Sequence, residues 1–113
     1  MRCDIFLVSK EKFFSDYIKK TLAEVNYEVY IYNESDDFSF LINDLKPRLV
    51  LLDSRACDEN LEQVWNNITW KNFFSVGLAS AGPGLAIKVD DTVTLPINAD
   101  QLKSLAKKRI EGN

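Results

Sequence analysis

Segments with the hydrophobic spacing of a strand alternate with segments that have the spacing of a helix along the whole chain. Nearly continuous short apolar runs indicate strands buried on both faces, as they are inside a parallel sheet. The predicted strands are residues 3–8, 27–32, 48–53, 73–79 and 92–95. Because parallel strands must be joined by crossovers, this order predicts an α/β domain with helices packed against a five-stranded parallel sheet.

Apolar residues recur every three or four positions in the segments between the strands, as on the buried stripe of a helix. Four stripes are clear: Phe14, Ile18, Leu22 and Val25; Phe38, Leu41, Ile42 and Leu45; Leu61, Val64, Trp65 and Ile68; and Leu102, Leu105 and Ala106. Ser35 and Asn60 are predicted to cap the second and third helices. Asn98 with Gln101 predicts a capping box for the last one.

The segment 80–91, between the fourth and fifth predicted strands, is irregular. Gly82-Pro83-Gly84 interrupts it, and these residues break a helix, so we expect the fourth helix to be shortened or missing. The apolar residues Leu85, Ile87 and Val89 would then lie exposed beside the last strand and helix. Such a patch is typical of a contact site, and we expect a homodimer or a partner protein there. The alternative is that the segment folds over its own apolar residues.

The chain has 113 residues, a length that favours one domain covering 1–113. A net charge of −3 argues against direct nucleic-acid binding, and the absence of His excludes imidazole-based catalysis. Cys3 and Cys57 are predicted at opposite ends of their strands, beyond the reach of a disulfide. Free thiols and the lack of a visible signal or membrane-spanning segment favour the cytoplasm.

Asp53 is the carboxylate that stands directly at the end of a predicted core strand. The carboxyl ends of parallel strands share one edge of the sheet, where α/β domains bind their ligands. The other residues expected at this edge are Ser9, Lys10, Glu11, Ala79, Ser80, Leu95 and Pro96. Two interpretations stay open from the residues alone: Asp53 is functional, or it caps the loop that follows.

Leu49-Val50-Leu51-Leu52-Asp53, after Lys46-Pro47, resembles the phosphoacceptor strand of response-regulator receiver domains. Asn26 to Val29 resembles the junction between the family's first helix and second strand, and Leu95 to Leu102 resembles its closing motif. The resemblance covers essentially the whole chain. It implies a flavodoxin-like three-layer α/β/α sandwich with strand order 2-1-3-4-5, and a signalling domain of a two-component system that is not itself an enzyme.

The chain departs from the family at the positions that handle phosphate. By the resemblance, Ser9 and Lys10 replace the acidic pair that holds Mg²⁺, Leu95 replaces the lysine before the proline, and Ala79 or Ser80 takes the switch position. Mg²⁺ prefers carboxylate ligands and a lysine ammonium repels it, so we expect no Mg²⁺ or other cofactor and poor phosphorylation of Asp53. A Lys10–Asp53 ion pair is a hypothesis for what replaces the metal.

These departures indicate an atypical receiver that controls an output domain or a partner through protein contacts, independently of phosphorylation. A DNA-binding output domain in the same chain, acting in transcription regulation, is one form of this hypothesis. A first alternative is a conventional phosphoacceptor in which Asp53, Glu11 and Asp4 recruit the metal. A second is a small nucleotide- or flavin-binding protein, although that class needs a Gly-, Ser- or Thr-rich loop where Ser9 to Lys12 stand.

Overall fold

The computed structural model describes residues 3–33, 36–79 and 87–112. Five parallel strands form one sheet in the order β2-β1-β3-β4-β5. The strands are β1 Ile5–Val8, β2 Val29–Ile31, β3 Leu49–Asp53, β4 Phe74–Ala79 and β5 Asp91–Thr94. The predicted flavodoxin-like sheet and its strand order are therefore confirmed.

Within the residues that the structure describes, four α-helices connect or follow the strands. They are α1 Lys12–Ala23, α2 Phe38–Leu45, α3 Glu59–Asn67 and α4 Ala99–Glu111, and a 3₁₀ turn at Ser54–Ala56 lies between β3 and α3. The Asn98–Gln101 capping box of α4 is confirmed. The caps predicted for the two middle helices are wrong, because Asp37 caps α2 and Asp58 caps α3.

Asp37 and Asp58 cap α2 and α3 because of where their carboxylates lie. Asp37 and Asp58 each stand immediately before the first helical residue, where a side-chain oxygen reaches a free amide of the first turn. Asp37 accepts from the N–H of Phe40 at 3.0 Å, and Asp58 accepts from the N–H of Leu61 at 2.9 Å. Asn60 already lies inside the first turn of α3. Ser35 lies outside the described residues.

The sheet separates two hydrophobic clusters, because successive side chains of a strand point to opposite faces. In β1, Phe6 and Val8 join the cluster under α2 and α3, while Ile5 and Leu7 join the cluster under α1 and α4. The first cluster is rich in aromatic rings, and Phe38 contacts Phe6, Tyr32 and Trp65 there. Both faces of the sheet are covered, as the nearly continuous apolar runs of β1 and β3 predicted.

The prediction of an exposed patch at residues 85–89 is wrong at Ile87. This side chain is 3% exposed and belongs to the cluster under α2 and α3, and the half-buried Val89 packs against the same cluster. Hydrogen bonds between Ser75 and Asp90 hold the end of this segment against β4, which returns it to the sheet. Leu85 lies outside the described residues. Residues 87–90 form no helix, while residues 80–86, where most of the fourth helix would lie, are outside the described residues.

The two cysteines are free thiols, as predicted. Cys3 precedes β1 at the amino edge of the sheet, whereas Cys57 follows the 3₁₀ turn at the carboxyl edge. Among the helices that the structure describes, none is long and apolar enough to span a bilayer.

Candidate functional site at the carboxyl edge of the sheet

Asp53 is the last residue of β3, and its side chain is fully buried. The neighbouring strand β1 runs in register with β3, so that Ser9 follows β1 at nearly the same height. The Ser9 hydroxyl donates a hydrogen bond to Oδ2 of Asp53 at 2.7 Å. The structure thus brings together two of the residues that the sequence placed at this edge.

Arg55 is the main partner of Asp53. Its Nε donates to Oδ1 at 3.0 Å and its Nη2 donates to Oδ2 at 2.9 Å, the paired geometry that a planar guanidinium forms with a carboxylate. The main-chain N–H of Arg55 also donates to Oδ1, at 3.0 Å. With the bond from Ser9, both carboxylate oxygens of Asp53 accept two hydrogen bonds each.

The 3₁₀ turn after β3 makes this pairing possible. A chain that continued as an extended strand would alternate its side chains, whereas the turn at Ser54–Ala56 directs Arg55 back over Asp53. The guanidinium also lies 5.2 Å from the ring centre of Phe14 on α1, within the range of a cation–π contact. The hydrogen bonds to Asp53 raise the pKa of Arg55, so this cation remains charged.

The expected ion pair between Lys10 and Asp53 is replaced by another. Lys10 Nζ lies 3.6 Å from Oδ2 of Asp58, the residue that caps α3, and both side chains of this pair are about half exposed. The hydrogen bond from the N–H of Leu61 and, more weakly, the charge of Lys10 lower the pKa of Asp58. Asp53 therefore receives its countercharge from its own loop rather than from the loop after β1.

The described residues that remain from the prediction for this edge form main-chain hydrogen bonds, pack against the core or lie exposed to solvent. Glu11 is exposed, precedes α1 and donates its N–H to the Ser9 hydroxyl at 3.2 Å. The carbonyl of Ala79, at the end of β4, accepts from the N–H of Leu95 at 2.8 Å. The side chain of Leu95 packs on the cluster under α1 and α4, and Pro96 after it is exposed. Ser80 lies outside the described residues.

Asp4 does not belong to this site. It precedes β1 at the opposite edge of the sheet, where its Oδ2 accepts from the N–H of Glu28 at 2.8 Å. The metal-binding set of Asp53, Glu11 and Asp4 in the first alternative is therefore wrong, because the length of a strand separates Asp4 from the other two. Across residues 3–33, 36–79 and 87–112, no group of three acidic or cysteine side chains is placed to hold a metal ion.

A cleft of about 250 Å³ lies beside the Asp53 site, between the end of β1 and the start of α3. Its floor is formed by apolar side chains, including Val8, Leu61 and Val64, and the Lys10–Asp58 pair lies at its rim. Pockets for cofactor-sized ligands generally measure about 300–1,000 Å³. The cleft is thus smaller than the usual space for a dinucleotide or a flavin.

Arg55 is the partner of Asp53 that the sequence interpretation missed. The signal was a cation two residues after the carboxylate of Asp53, but its importance depends on the turn that follows β3. Cys57, in the same loop, donates its thiol to the Asp53 carbonyl at 3.4 Å, and burial raises its pKa to about 11. The loop after β3 therefore holds Asp53 through both its side chain and its main chain.

Comparisons with known proteins identify similar folds rather than close relatives. No protein-family model matches the chain, and no curated protein matches it significantly. The receiver domain of a putative LuxO repressor protein from Vibrio parahaemolyticus is 23% identical with a TM-score of 0.75, over 99% of this chain and 92% of that one. A CheY-like response regulator receiver domain protein from Methanospirillum hungatei JF-1 is 16% identical with a TM-score of 0.78, over 96% and 94%.

Longer proteins also contain this fold. NtrX from Brucella abortus in complex with ATP is 25% identical with a TM-score of 0.65, and the match covers 99% of this chain and 27% of that one. The present chain thus spans about a quarter of that NtrX chain. Taken with the sheet order and the position of Asp53 after β3, these likenesses show that the chain has the fold of a response-regulator receiver domain.

Proposed function

We propose that this chain is a receiver-like signalling domain that acts through protein contacts and does not depend on phosphorylation of Asp53. The receiver fold supports the signalling role. The independence from phosphorylation is supported by the Arg55–Asp53 pair, in which a guanidinium donates hydrogen bonds to both oxygens of the fully buried carboxylate. In this reading, Arg55 fills the place of the incoming phosphoryl group.

The requirements of phosphoryl transfer support the same proposal. The reaction relies on cations positioned around an accessible nucleophile. The nucleophilic oxygens of Asp53 each accept two hydrogen bonds, so an attack on a phosphoryl donor requires Arg55 or Ser9 to withdraw first. Leu95 also packs into the core and supplies no charge. The reaction at Asp53 is therefore expected to be slow or absent.

The side chains around Asp53 do not suit Mg²⁺. This ion needs several hard oxygen ligands, and usually takes one or two carboxylates together with water. Arg55 supplies positive charge at the buried carboxylate of Asp53, and Ser9 stands where a second carboxylate would be needed. We therefore propose that the domain works without a metal cofactor.

Amide NMR with Mg²⁺ and beryllofluoride, a mimic of the phosphoryl group, tests the proposal. We expect the wild-type protein and Asp53→Asn to give the same small, non-saturating shifts up to about 10 mM Mg²⁺. Asp58→Asn, which removes a carboxylate from the same loop but outside the Asp53 site, is the matched control. Saturable shifts in the wild type that Asp53→Asn abolishes would contradict the proposal.

A conventional phosphoacceptor is the second candidate, and one observation favours it. The side chain of Arg55 is 44% exposed, so its guanidinium has a route out of the site into solvent. The same titration distinguishes the two candidates. If Arg55 withdraws readily, the wild type binds beryllofluoride and Arg55→Ala binds it no more tightly; if Arg55 blocks the site, the variant alone gains binding.

The target of the signal is proposed to be an output domain or a separate partner protein. Matches within longer chains support this idea, since the present chain covers 27% of one NtrX chain and 58% of full-length FixJ from B. japonicum. A DNA-binding output domain is one such target, and a cytoplasmic location fits it. A nucleotide or flavin ligand is disfavoured by the small cleft beside Asp53. Absorbance of the purified protein checks the flavin form directly.

A further inference from the structure

The cleft between the end of β1 and the start of α3 combines an ion pair at its rim with an apolar floor. We call it the β1–α3 cleft, and its lining includes Val8, Lys10, Tyr32, Asp58, Leu61 and Val64. Its volume of about 250 Å³ lies below the usual range for cofactor-sized ligands, so it suits a smaller molecule. The Arg55–Asp53 pair involves none of these six residues.

The rim of the β1–α3 cleft carries one positive and one negative charge. Lys10 Nζ lies 3.6 Å from Oδ2 of Asp58, and about half of each side chain is exposed, so a ligand in the cleft can contact both. The other oxygen of Asp58, Oδ1, accepts the N–H of Leu61, which fixes the carboxylate at the start of α3. Because an ammonium has three N–H donors and a carboxylate has several acceptor sites, each group can bond a ligand while the pair persists.

The floor of the cleft is apolar. Val8 is 3% exposed and Leu61 is 6% exposed, while Val64 is half-buried. The Tyr32 hydroxyl donates to the main-chain carbonyl of Asp36 at 3.2 Å, so the ring of Tyr32 offers mainly apolar surface to the cleft. A ligand therefore gains free energy by burying an aliphatic group here, since this removes apolar area from water.

Opposite charges this close together discriminate between ligands of different charge. A simple carboxylate would pair with Lys10 but would be repelled by Asp58, and a simple amine would pair with Asp58 but would be repelled by Lys10. A zwitterion can place its ammonium beside Asp58 and its carboxylate beside Lys10, so that both of its charges are paired. In an α-amino acid the two charged groups are attached to one carbon atom, at a spacing comparable to that of Nζ and Oδ2 in the ion pair.

We propose that the β1–α3 cleft binds a free α-amino acid with an aliphatic side chain. The ammonium of the ligand pairs with Asp58, and its carboxylate pairs with Lys10. Its side chain packs against Val8, Leu61 and Val64 on the floor of the cleft. The inference goes beyond the proposed function, because it assigns a small-molecule ligand to the domain, and it does not depend on the phosphoacceptor position.

The charges at the rim have another explanation within a single chain. Asp58 caps α3, and a neighbouring lysine stabilises such a carboxylate without any ligand. This explanation predicts that amino acids cause no saturable effect, and that neutralising either charge changes only the stability of the fold. The experiment therefore compares ligands that differ by one charged group as well as variants of the protein.

Amide NMR of the whole chain, titrated with L-leucine to about 20 mM at constant ionic strength, measures the binding. We expect saturable shifts at Ser9, Lys10 and Leu61 with a dissociation constant of about 1 mM, because the rim charges are half exposed and the ligand is small. Isocaproate lacks only the ammonium of leucine, and isoamylamine lacks only its carboxylate. Each should bind about tenfold more weakly or worse, and so should glycine, which lacks the aliphatic group.

Two substitutions should reverse the preference for the charge of the ligand. Asp58→Asn keeps an oxygen that can cap α3 but loses the negative charge, so it should bind leucine about tenfold more weakly and isocaproate more tightly than the wild type does. Lys10→Met should likewise lose leucine and gain isoamylamine. Glu59→Gln changes an exposed acidic residue in the first turn of α3, outside the cleft lining, and as the control it should bind leucine like the wild type.

Three outcomes would overturn the inference. They are a wild type without saturable leucine shifts up to about 20 mM, isocaproate or isoamylamine binding the wild type as tightly as leucine does, and variants that lose leucine without the reversed preference. Thermal unfolding by circular dichroism checks that the variants are folded, and the comparison of ligands on the wild type needs no variant. None of these outcomes affects the proposed function, which is tested at Asp53 by the beryllofluoride titration.

Discussion

The guanidinium of Arg55 holds the carboxylate of Asp53 at both ends, with Nε 3.0 Å from Oδ1 and Nη2 2.9 Å from Oδ2. Asp53 is fully buried, whereas the Arg55 side chain is 44% exposed. The pair therefore connects the interior of the sheet to its surface at the carboxyl edge. The Phe14 ring, 5.2 Å from the guanidinium, adds a contact with α1.

Arg55→Ala is expected to destabilise the fold, because it leaves a buried carboxylate with two fewer hydrogen bonds. Hydrogen bonds to charged groups contribute about 1.5–3 kcal/mol, and the exposure of Arg55 places the expected loss at about 1–2 kcal/mol. Urea unfolding measures it. Arg48→Ala, an exposed arginine just before β3, is the control and should change the free energy of unfolding by less than about 0.5 kcal/mol. Equal losses in the two variants would show that the pair contributes nothing specific.

Phe38 and Phe40 on α2 offer a matched pair of aromatic truncations. Phe38 is 2% exposed and packs against Phe6, Tyr32 and Trp65, while Phe40 is 63% exposed. Phe38→Ala should cost about 3–5 kcal/mol, because it leaves a cavity among the aromatic rings. Phe40→Ala should stay within about 0.5 kcal/mol of the wild type. Urea unfolding compares them, and a large loss in Phe40→Ala would indicate that Phe40 is covered in solution.

The architecture was predictable because it depends on patterns that are local in sequence. Continuous apolar runs predicted β1 and β3, and the spacing of Ile18 and Leu22 predicted the buried stripe of α1. Parallel pairing then followed from the alternation of strands and helices. Asn26, three residues after the end of α1, has a φ of 67°, in the left-handed region that Asn adopts more readily than most residues.

The chemistry of the site was less predictable, because it depends on the geometry of one short turn. Sequence spacing placed Asp53 and Ser9 at the same edge, and their hydrogen bond is consistent with that. It did not reveal that the 3₁₀ turn after β3 directs Arg55 onto Asp53 while Lys10 pairs with Asp58. The prediction that Ile87 is exposed was wrong for a related reason. An apolar side chain packs equally well against another protein or against the core of its own chain, so its apolar character does not distinguish the two.

Both cysteine thiols are expected to react slowly in the native protein. Burial raises the pKa of Cys3 and of Cys57 to about 11, from about 8.5 in an unfolded chain, so the thiolate fraction at pH 8 falls on the order of a hundredfold. Alkylation by iodoacetamide, followed by mass spectrometry, should be slow in buffer and fast in urea. Rapid native alkylation of Cys57 would show that the loop after β3 opens frequently. An intramolecular Cys3–Cys57 disulfide under mild oxidation would contradict the fold itself.

Tyr27 connects the segment before β2 to the end of α4, and its phenol is expected to make the stability of the fold depend on pH in the alkaline range. Its hydroxyl donates to Glu111, and burial together with this bond raises the pKa of Tyr27 to about 12, against about 10 in an unfolded chain. The folded state thus holds the phenol proton more tightly. The resulting stabilisation is fully present below pH 10 and is lost as the pH rises from about 10 to about 12.

Tyr27→Phe removes this contribution, so its free energy of unfolding should fall less steeply than that of the wild type between pH 10 and pH 12. The cysteine thiols also lower the free energy of unfolding as the pH rises from about 8.5 to about 11. The quantity to measure is therefore the difference in free energy of unfolding between the wild type and Tyr27→Phe. Parallel curves for the wild type and Tyr27→Phe would mean that the Tyr27–Glu111 bond does not persist in solution.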